Sequence, residues 1–166
     1  AKGRISLGPV LSASHTPSSV PSSLSSYVDP VNLTRRLIRY DISNPPKNDR
    51  ECAGYLKSVL EEDSINRKLI TVHPDRPTLI VRLPGQGNAS PLPLQVHMNV
   101  VPAASDDWQN PPFEGTIVDS YLWGLGTLDL KSGIAMIVST LIRTKSEYQA
   151  LGRNPPGKLP SCEVRN

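Results

Sequence analysis

The sequence predicts an α/β fold in which a mostly parallel sheet is flanked by helices. Segments with the apolar spacing of amphipathic helices alternate with short apolar runs that are typical of buried strands. Connections rich in proline and glycine separate these segments. Hydrophobic residues make up 37% of the 166 residues, which is enough for the core of one domain. Helices that alternate with buried strands usually form layered α/β domains.

Residues 1–28 are expected to form a flexible leader. Nine serines and three prolines lie between Ser6 and Ser26, with only isolated apolar residues among them. Such a composition buries too little apolar surface to offset the entropy that ordering costs. The ordered domain is therefore predicted to span residues 29–157.

Three helices are predicted within this domain. The first begins at Asp29-Pro30, a capping residue followed by a proline at the first helical position, and ends before Pro45-Pro46. The second spans about residues 48–64, and the third spans about residues 131–150.

The predicted strands lie between the second and third helices. Three are longer, at residues 68–73, 78–83 and 92–97, and two are short, at residues 116–118 and 121–123. Residues 158–166 are expected to be an irregular tail, because Pro160 interrupts the one candidate strand there.

Charge and hydropathy argue against a nucleic-acid-binding protein and against a membrane-spanning protein. The net charge is only +3, and the basic residues are scattered rather than gathered in a stripe, so a nucleic-acid partner is not expected. The longest apolar stretch, around residues 134–142, is shorter than the roughly 18 residues that a membrane-spanning helix needs. We expect a soluble protein, and a cytoplasmic location is slightly favoured over secretion.

Two segments carry residues suited to metal chemistry. His97 closes a predicted strand, and Asn99 lies two positions further on, where it can orient the imidazole as a zinc ligand. Asp129 follows a turn punctuated by glycines and can present both carboxylate oxygens. Two alternatives remain open from the residues alone, namely that His97 is a core histidine and that Asp129 only caps the following helix.

Taken together, the segments 97–102, 107–119 and 121–133 closely resemble the zinc metallopeptidase family that includes aminoacylase, acetylornithine deacetylase, succinyl-diaminopimelate desuccinylase and carboxypeptidase G. The resemblance covers about residues 29–157 and implies the N-terminal part of a di-zinc exopeptidase catalytic domain. It further implies that His97 and Asp129 are metal ligands, the aspartate bridging two zinc ions. Lys131 and Gly133 match the residues that surround this aspartate in the family.

The chain also departs from the family pattern. Asn99 replaces the aspartate that orients the histidine, and Leu125 replaces an arginine. The later Asp-Glu-Glu segment, which supplies the general base and a further ligand, is not found; Glu163 stands alone close to Pro160. The resemblance therefore implies a truncated domain with weak or no zinc binding.

The resemblance implies hydrolysis of peptide or N-acyl amide bonds, with a small peptide or an N-acyl amino acid as substrate and with little or no turnover by this chain alone. An alternative is a catalytically dead binding module that forms a homo-oligomer through an exposed sheet edge. A third interpretation is that residues 158–166 result from a frameshift or truncation of a longer enzyme.

Overall fold

A computed structural model describes residues 4–6, 28–45, 49–86, 90, 92–104, 106, 108–153 and 161–165. The elements in chain order are β1 (Arg4–Ser6), α1 (Pro30–Ile38), α2 (Asp49–Glu62), β2 (Asn66–His73), β3 (Arg76–Arg82), β4 (Leu94–His97), β5 (Thr116–Val118), β6 (Tyr121–Trp123), α3 (Lys131–Ala150) and β7 (Ser161–Arg165). None of the described helices is long and apolar enough to cross a membrane. The predicted α/β class is confirmed.

The first helix begins where the sequence predicts, and it ends at Ile38, before Pro45-Pro46 as predicted. Asp29 caps it, its carboxylate accepting a hydrogen bond from the amide of Val31 at 3.0 Å. The helix ends at Ile38 because the segment that follows pairs with residues beyond β4. There the amide of Val100 donates to the carbonyl of Ile42 at 3.0 Å. The backbone after α1 is thereby fixed close to the end of β4.

The main sheet has the strand order β2-β3-β7-β4, and its strand directions correct the prediction of a mostly parallel sheet. The pairs β2/β3 and β3/β7 are antiparallel, and only β4/β7 is parallel. A short turn joins β2 to β3, and such a turn allows only antiparallel pairing. The connection from β4 to β7 includes α3, which gives the length that a parallel crossover needs.

The second correction concerns the predicted irregular tail at residues 158–166. Residues 161–165 form β7, which lies inside the sheet and pairs with β3 on one side and β4 on the other. Val164 is only 1% exposed. Pro160 precedes the strand instead of interrupting it, and a strand with two neighbours gains a full ladder of backbone hydrogen bonds. Residues 158–160 and 166 lie outside the described part of the chain.

A smaller sheet has the order β1-β6-β5, and β1 comes from the predicted flexible leader. Its three residues pair antiparallel with β6, and the guanidinium of Arg4 lies 4.6 Å from the ring centroid of Tyr121. This part of the leader is therefore ordered, whereas the prediction for residues 1–3 and 7–27 concerns residues outside those described. Asp119 and Ser120 form the β5–β6 turn with φ values of 50° and 61°, as tight hairpin turns require.

One hydrophobic core lies between the main sheet and the helices. Helix α1 packs against α3, α2 packs against β2 and β3, and α3 also contacts β4. The core therefore joins every layer to the strand that ends at His97. Its largest members that are fully buried are apolar residues from α1, α2, β3, α3 and the segments between them: Leu37, Ile42, Leu56, Leu60, Ile65, Leu79, Met98, Ile134 and Ile142.

The position of β7 can be tested with a matched pair of substitutions. Val164→Asp places a carboxylate without a partner in the core, and we expect it to lower the free energy of unfolding by at least about 3 kcal/mol. Val72→Asp makes the same change on β2 at a side chain that is 95% exposed, and we expect a change within about 0.5 kcal/mol. Urea unfolding measures both. Equally small effects would contradict the placement of β7 in the core.

Candidate metal centre

His97 stands at the carboxyl end of β4 with its imidazole at the mouth of a cleft. Its side chain is 43% exposed, and its Nδ1 lies 3.1 Å from the backbone carbonyl oxygen of Asn99. A carbonyl oxygen only accepts hydrogen bonds, so in a neutral ring Nδ1 carries the proton and Nε2 presents its lone pair. The exposure excludes the alternative of a histidine enclosed in the core.

Asp129 faces this histidine from the turn that precedes α3. Its Oδ1 lies 3.3 Å from Nε2 of His97, and its side chain is 83% exposed. Leu130 occupies the N-cap position of α3, and no side-chain hydrogen bond caps the helix. The alternative in which Asp129 serves only as a helix cap is therefore wrong.

A tight turn positions Asp129, and glycine is required within it. Gly126 has a φ of +91°, and a Cβ atom there would lie 2.8 Å from Cδ of Lys131 and 3.1 Å from Cγ1 of Val100. A side chain at this position would meet both strain and collision. The amide of Leu125 also donates to the carbonyl of Pro112 at 2.7 Å, which fastens the turn to the preceding loop.

Lys131 lies directly beneath the turn and is fully buried. Its Nζ donates a hydrogen bond to the carbonyl oxygen of Tyr40 at 2.8 Å and lies 5.9 Å from the ring centroid of Phe113. Burial lowers the pKa of Lys131 from 10.5 to about 8, and interactions with Cys52 and Asp41 oppose part of this shift. Desolvation is thus the main electrostatic cost at this position.

Cys52 is buried in the core, and its thiol interacts electrostatically with Lys131. Burial raises the pKa of its thiol from 9.0 to about 12, although the charge of Lys131 lowers it in part. The thiol is therefore neutral at ordinary pH. Since the thiolate is the reactive form, Cys52 is not suited to nucleophilic catalysis.

The cleft beside the pair has a volume of about 420 Å³, which lies in the range of small-molecule sites. Its walls are mainly apolar, with amide groups from Asn44 and Asn99. The cleft can therefore hold an apolar portion of a ligand while the imidazole and the carboxylate face its polar portion. The apolar lining comes from the ends of β4 and from the glycine turn: Val100, Val101, Pro102, Leu125 and Leu128.

The structure brings two of the three predicted site residues into direct contact. The side chain of Asn99 lines the cleft, but the orienting contact to His97 comes from the backbone carbonyl of residue 99. His73 lies away from the cleft at the exposed end of β2, where its Nδ1 accepts from the amide of Asp75 at 3.5 Å as a turn residue. No third histidine, cysteine, aspartate or glutamate joins the pair within the described ranges.

Sequence reasoning missed the burial of Lys131, although it noted that this residue matches a pattern. A lysine at the first position of a helix is usually solvated, and nothing in the apolar spacing of α3 distinguishes a buried one. The contribution of Asn44 to the cleft was also missed, since its position depends on pairing between the segment after α1 and the segment after β4.

A histidine and an aspartate are both ligands that zinc takes in proteins, and the carboxyl end of a strand is where α/β sheets commonly bind ligands. Comparison with known proteins points to a family of peptidases. Residues 94–155 match the profile of peptidase family M20/M25/M40. The chain is 34% identical over 119 residues to a probable succinyl-diaminopimelate desuccinylase of Staphylococcus epidermidis, a match that includes 70% of this chain and 28% of that protein.

Solved structures of low sequence identity share the fold. The M20 family metallo-carboxypeptidase Sso-CP2 from Sulfolobus solfataricus matches 83% of this chain and 30% of its own length, with a TM-score of 0.66 and 16% identity. Human carnosine dipeptidase 1 matches 82% of this chain and 31% of its own length, with a TM-score of 0.62 and 16% identity.

These comparisons confirm the resemblance seen in the motifs, since part of the chain matches the M20/M25/M40 profile and the fold matches part of M20 structures. The chain spans less than a third of the length of the proteins it matches here. The confirmed fold class is thus that of part of an M20 catalytic domain.

Proposed function

We propose that this chain supplies one histidine and one aspartate to the zinc centre of a hydrolase that cleaves peptide or N-acyl amide bonds. In this proposal, His97 and Asp129 bind a single zinc ion weakly, and the chain alone has little or no turnover. The observation that supports the proposal is the 3.3 Å separation between Nε2 of His97 and Oδ1 of Asp129.

The separation of these two atoms fits a shared zinc ion. Zinc binds imidazole nitrogen and carboxylate oxygen at about 2.0–2.2 Å, so two ligands of a tetrahedral site lie about 3.4 Å apart. With Nδ1 donating to the carbonyl of Asn99, the lone pair of Nε2 meets a carboxylate, and two electron-rich atoms at this distance need a cation between them. A proton on Nε2 also meets this need, and a metal titration distinguishes the two.

The same residues explain why turnover is not expected. A catalytic zinc site normally has three protein ligands and one position for water, whereas the described residues bring only two candidate ligands together. When bound, zinc polarises the scissile carbonyl and activates a water molecule. The polar residues that line the cleft beside the pair, Asn44 and Asn99, are amides, and an amide is not able to act as a general base.

The proposed substrate class follows from the cleft and from the relatives. The S. epidermidis relative is named as a desuccinylase, and the structural relatives are named as a carboxypeptidase and a dipeptidase. All three names denote cleavage at an amide bond. The cleft of about 420 Å³ has apolar walls beside the proposed metal ligands, which suits a small peptide or an N-acyl amino acid.

Zinc binding by calorimetric titration tests the proposal. We expect the chain to bind one zinc ion with micromolar or weaker affinity, and we expect His97→Ala and Asp129→Asn each to lower this affinity by at least about tenfold. His73→Ala and Asp119→Asn remove an imidazole and a carboxylate from exposed turns and should have no effect. Asn99→Ala should leave zinc affinity nearly unchanged, because the backbone carbonyl rather than the side chain orients His97.

Equal zinc affinity in the wild type and His97→Ala would overturn the assignment of the ligands. Turnover is measured in the same samples with dipeptides and N-succinyl amino acids. A zinc-dependent rate that disappears in Asp129→Asn would contradict the expected lack of activity while supporting the site.

A second candidate function is that of a self-associating module without catalysis. The observation that favours it is an apolar groove of about 300 Å³ between α3 and the segment leading into β4. Met136 and Leu92 line this groove and are 56% and 59% exposed. Within the described part of the main sheet, β4 has a neighbouring strand only on its β7 side. An open strand edge beside an apolar groove favours the docking of a second copy of the chain.

Size-exclusion chromatography with light scattering tests self-association. We expect a dimer if this second function holds, and we expect Met136→Glu to convert it to a monomer by placing a charge in the groove. Leu151→Glu is the matched control, because Leu151 is also largely exposed, directly follows α3 and does not line the groove. A wild-type monomer at all concentrations would contradict the second function.

A further inference from the structure

We propose that Lys131 is a positioning residue that holds Asp129 in place for metal binding. The inference rests on the proposed function, since it concerns the same metal centre, and it assigns a role to a residue that binds neither metal nor substrate.

Lys131 connects three separate segments of the chain beneath the cleft. Its ammonium group donates to the carbonyl of Tyr40, which follows α1, at 2.8 Å. The same group lies 5.9 Å from the ring centroid of Phe113, in the loop before β5. The backbone amide of Lys131 donates to the carbonyl of Gly126 at 2.8 Å, so the residue also closes the glycine turn.

The stem of the lysine fits against this turn closely. A Cβ atom on Gly126 would lie 2.8 Å from Cδ and 3.0 Å from Cγ of Lys131. The turn backbone therefore rests on the lysine stem, and the stem is fixed at its far end by the contact with Tyr40. A shift of the ammonium group would move the surface on which the turn rests.

Asp129 depends on this support because its own side chain is exposed. The carboxylate is 83% exposed, and the contact given for it is the one with Nε2 of His97 across the cleft, at 3.3 Å. Its position therefore follows the position of the turn, two residues before Lys131. A metal ligand needs placement within a few tenths of an ångström, which an exposed side chain on an unsupported turn does not achieve.

The ammonium group is poorly suited to a role in packing alone. A fully buried lysine loses its hydration, which costs free energy that an apolar side chain does not lose. An apolar side chain of similar length would fill the same space without this cost. What such a side chain would lack is the directed hydrogen bond to Tyr40.

Lys131→Met separates positioning from packing, since methionine keeps most of the stem and removes the ammonium group. At pH 7 we expect the melting temperature to be unchanged or higher, and we expect zinc affinity to fall by about tenfold, in the range seen for residues that orient metal ligands. Phe113→Leu removes the ring near the ammonium group and should lower zinc affinity by a smaller factor, about two- to fivefold.

Lys145→Met is the matched control. Lys145 also lies on α3 and also donates from Nζ to backbone carbonyls, those of Asp63 and Ser64, but it lines a separate pocket away from the glycine turn. We expect this variant to lose some stability while keeping wild-type zinc affinity. Melting temperature and zinc titration are measured for every variant on the full chain.

The outcomes distinguish this inference from the proposed function. If the wild type and His97→Ala bind zinc equally, the proposed function fails and the role of Lys131 fails with it. If the wild type binds zinc through His97 but Lys131→Met binds it equally well, the positioning role alone is wrong. A parallel loss of stability and affinity in Lys131→Met, with unchanged affinity in Phe113→Leu, would also overturn it, since that pattern indicates packing.

Discussion

The contact between His97 and Asp129 requires that two segments far apart in the sequence are both held in fixed positions by the rest of the fold. The histidine belongs to a strand whose neighbours are set by the main sheet, while the aspartate belongs to a turn outside any strand. The sheet and its core fix the first segment. The second is fixed by Gly126, which allows the backbone to approach, and by Lys131, against which the turn lies. The 3.3 Å separation between Nε2 of His97 and Oδ1 of Asp129 requires both segments to keep these positions.

The two anchored segments together give a candidate metal centre with only two candidate ligands among the described residues. The segment from β4 to α3 forms one continuous unit that carries both residues, and it is the segment that matches the M20 profile. The relatives are more than three times as long as the matched portion. The described residues thus bring an imidazole and a carboxylate together at a cleft, and within those residues no third histidine, cysteine, aspartate or glutamate joins them.

Local patterns in the sequence were sufficient for much of the fold. The start of α1 follows from Asp29 and the proline after it, and the apolar spacing of α3 gives its length. The pairing of His97 with Asp129 was reached through motifs, because composition and periodicity do not show which loops meet. The chemistry of each residue type was readable, but their separation in space was not.

What the sequence did not reveal depends on long-range contacts. Strand directions follow from the connections, and the five residues of β7 become a strand only because β3 and β4 lie on either side of them. The same holds for β1, whose pairing with β6 joins the two ends of a long segment. The burial of Lys131 is also a tertiary effect, since its partner Tyr40 lies 91 positions away.

The most direct test of the shared metal site is X-ray absorption at the zinc edge on the zinc-loaded chain. We predict that the zinc ion is bound by one imidazole nitrogen and at least one carboxylate oxygen at about 2.0–2.2 Å, and that the imidazole scattering is lost in His97→Ala. A shell of water oxygens alone, or an identical spectrum after the histidine is removed, would contradict it.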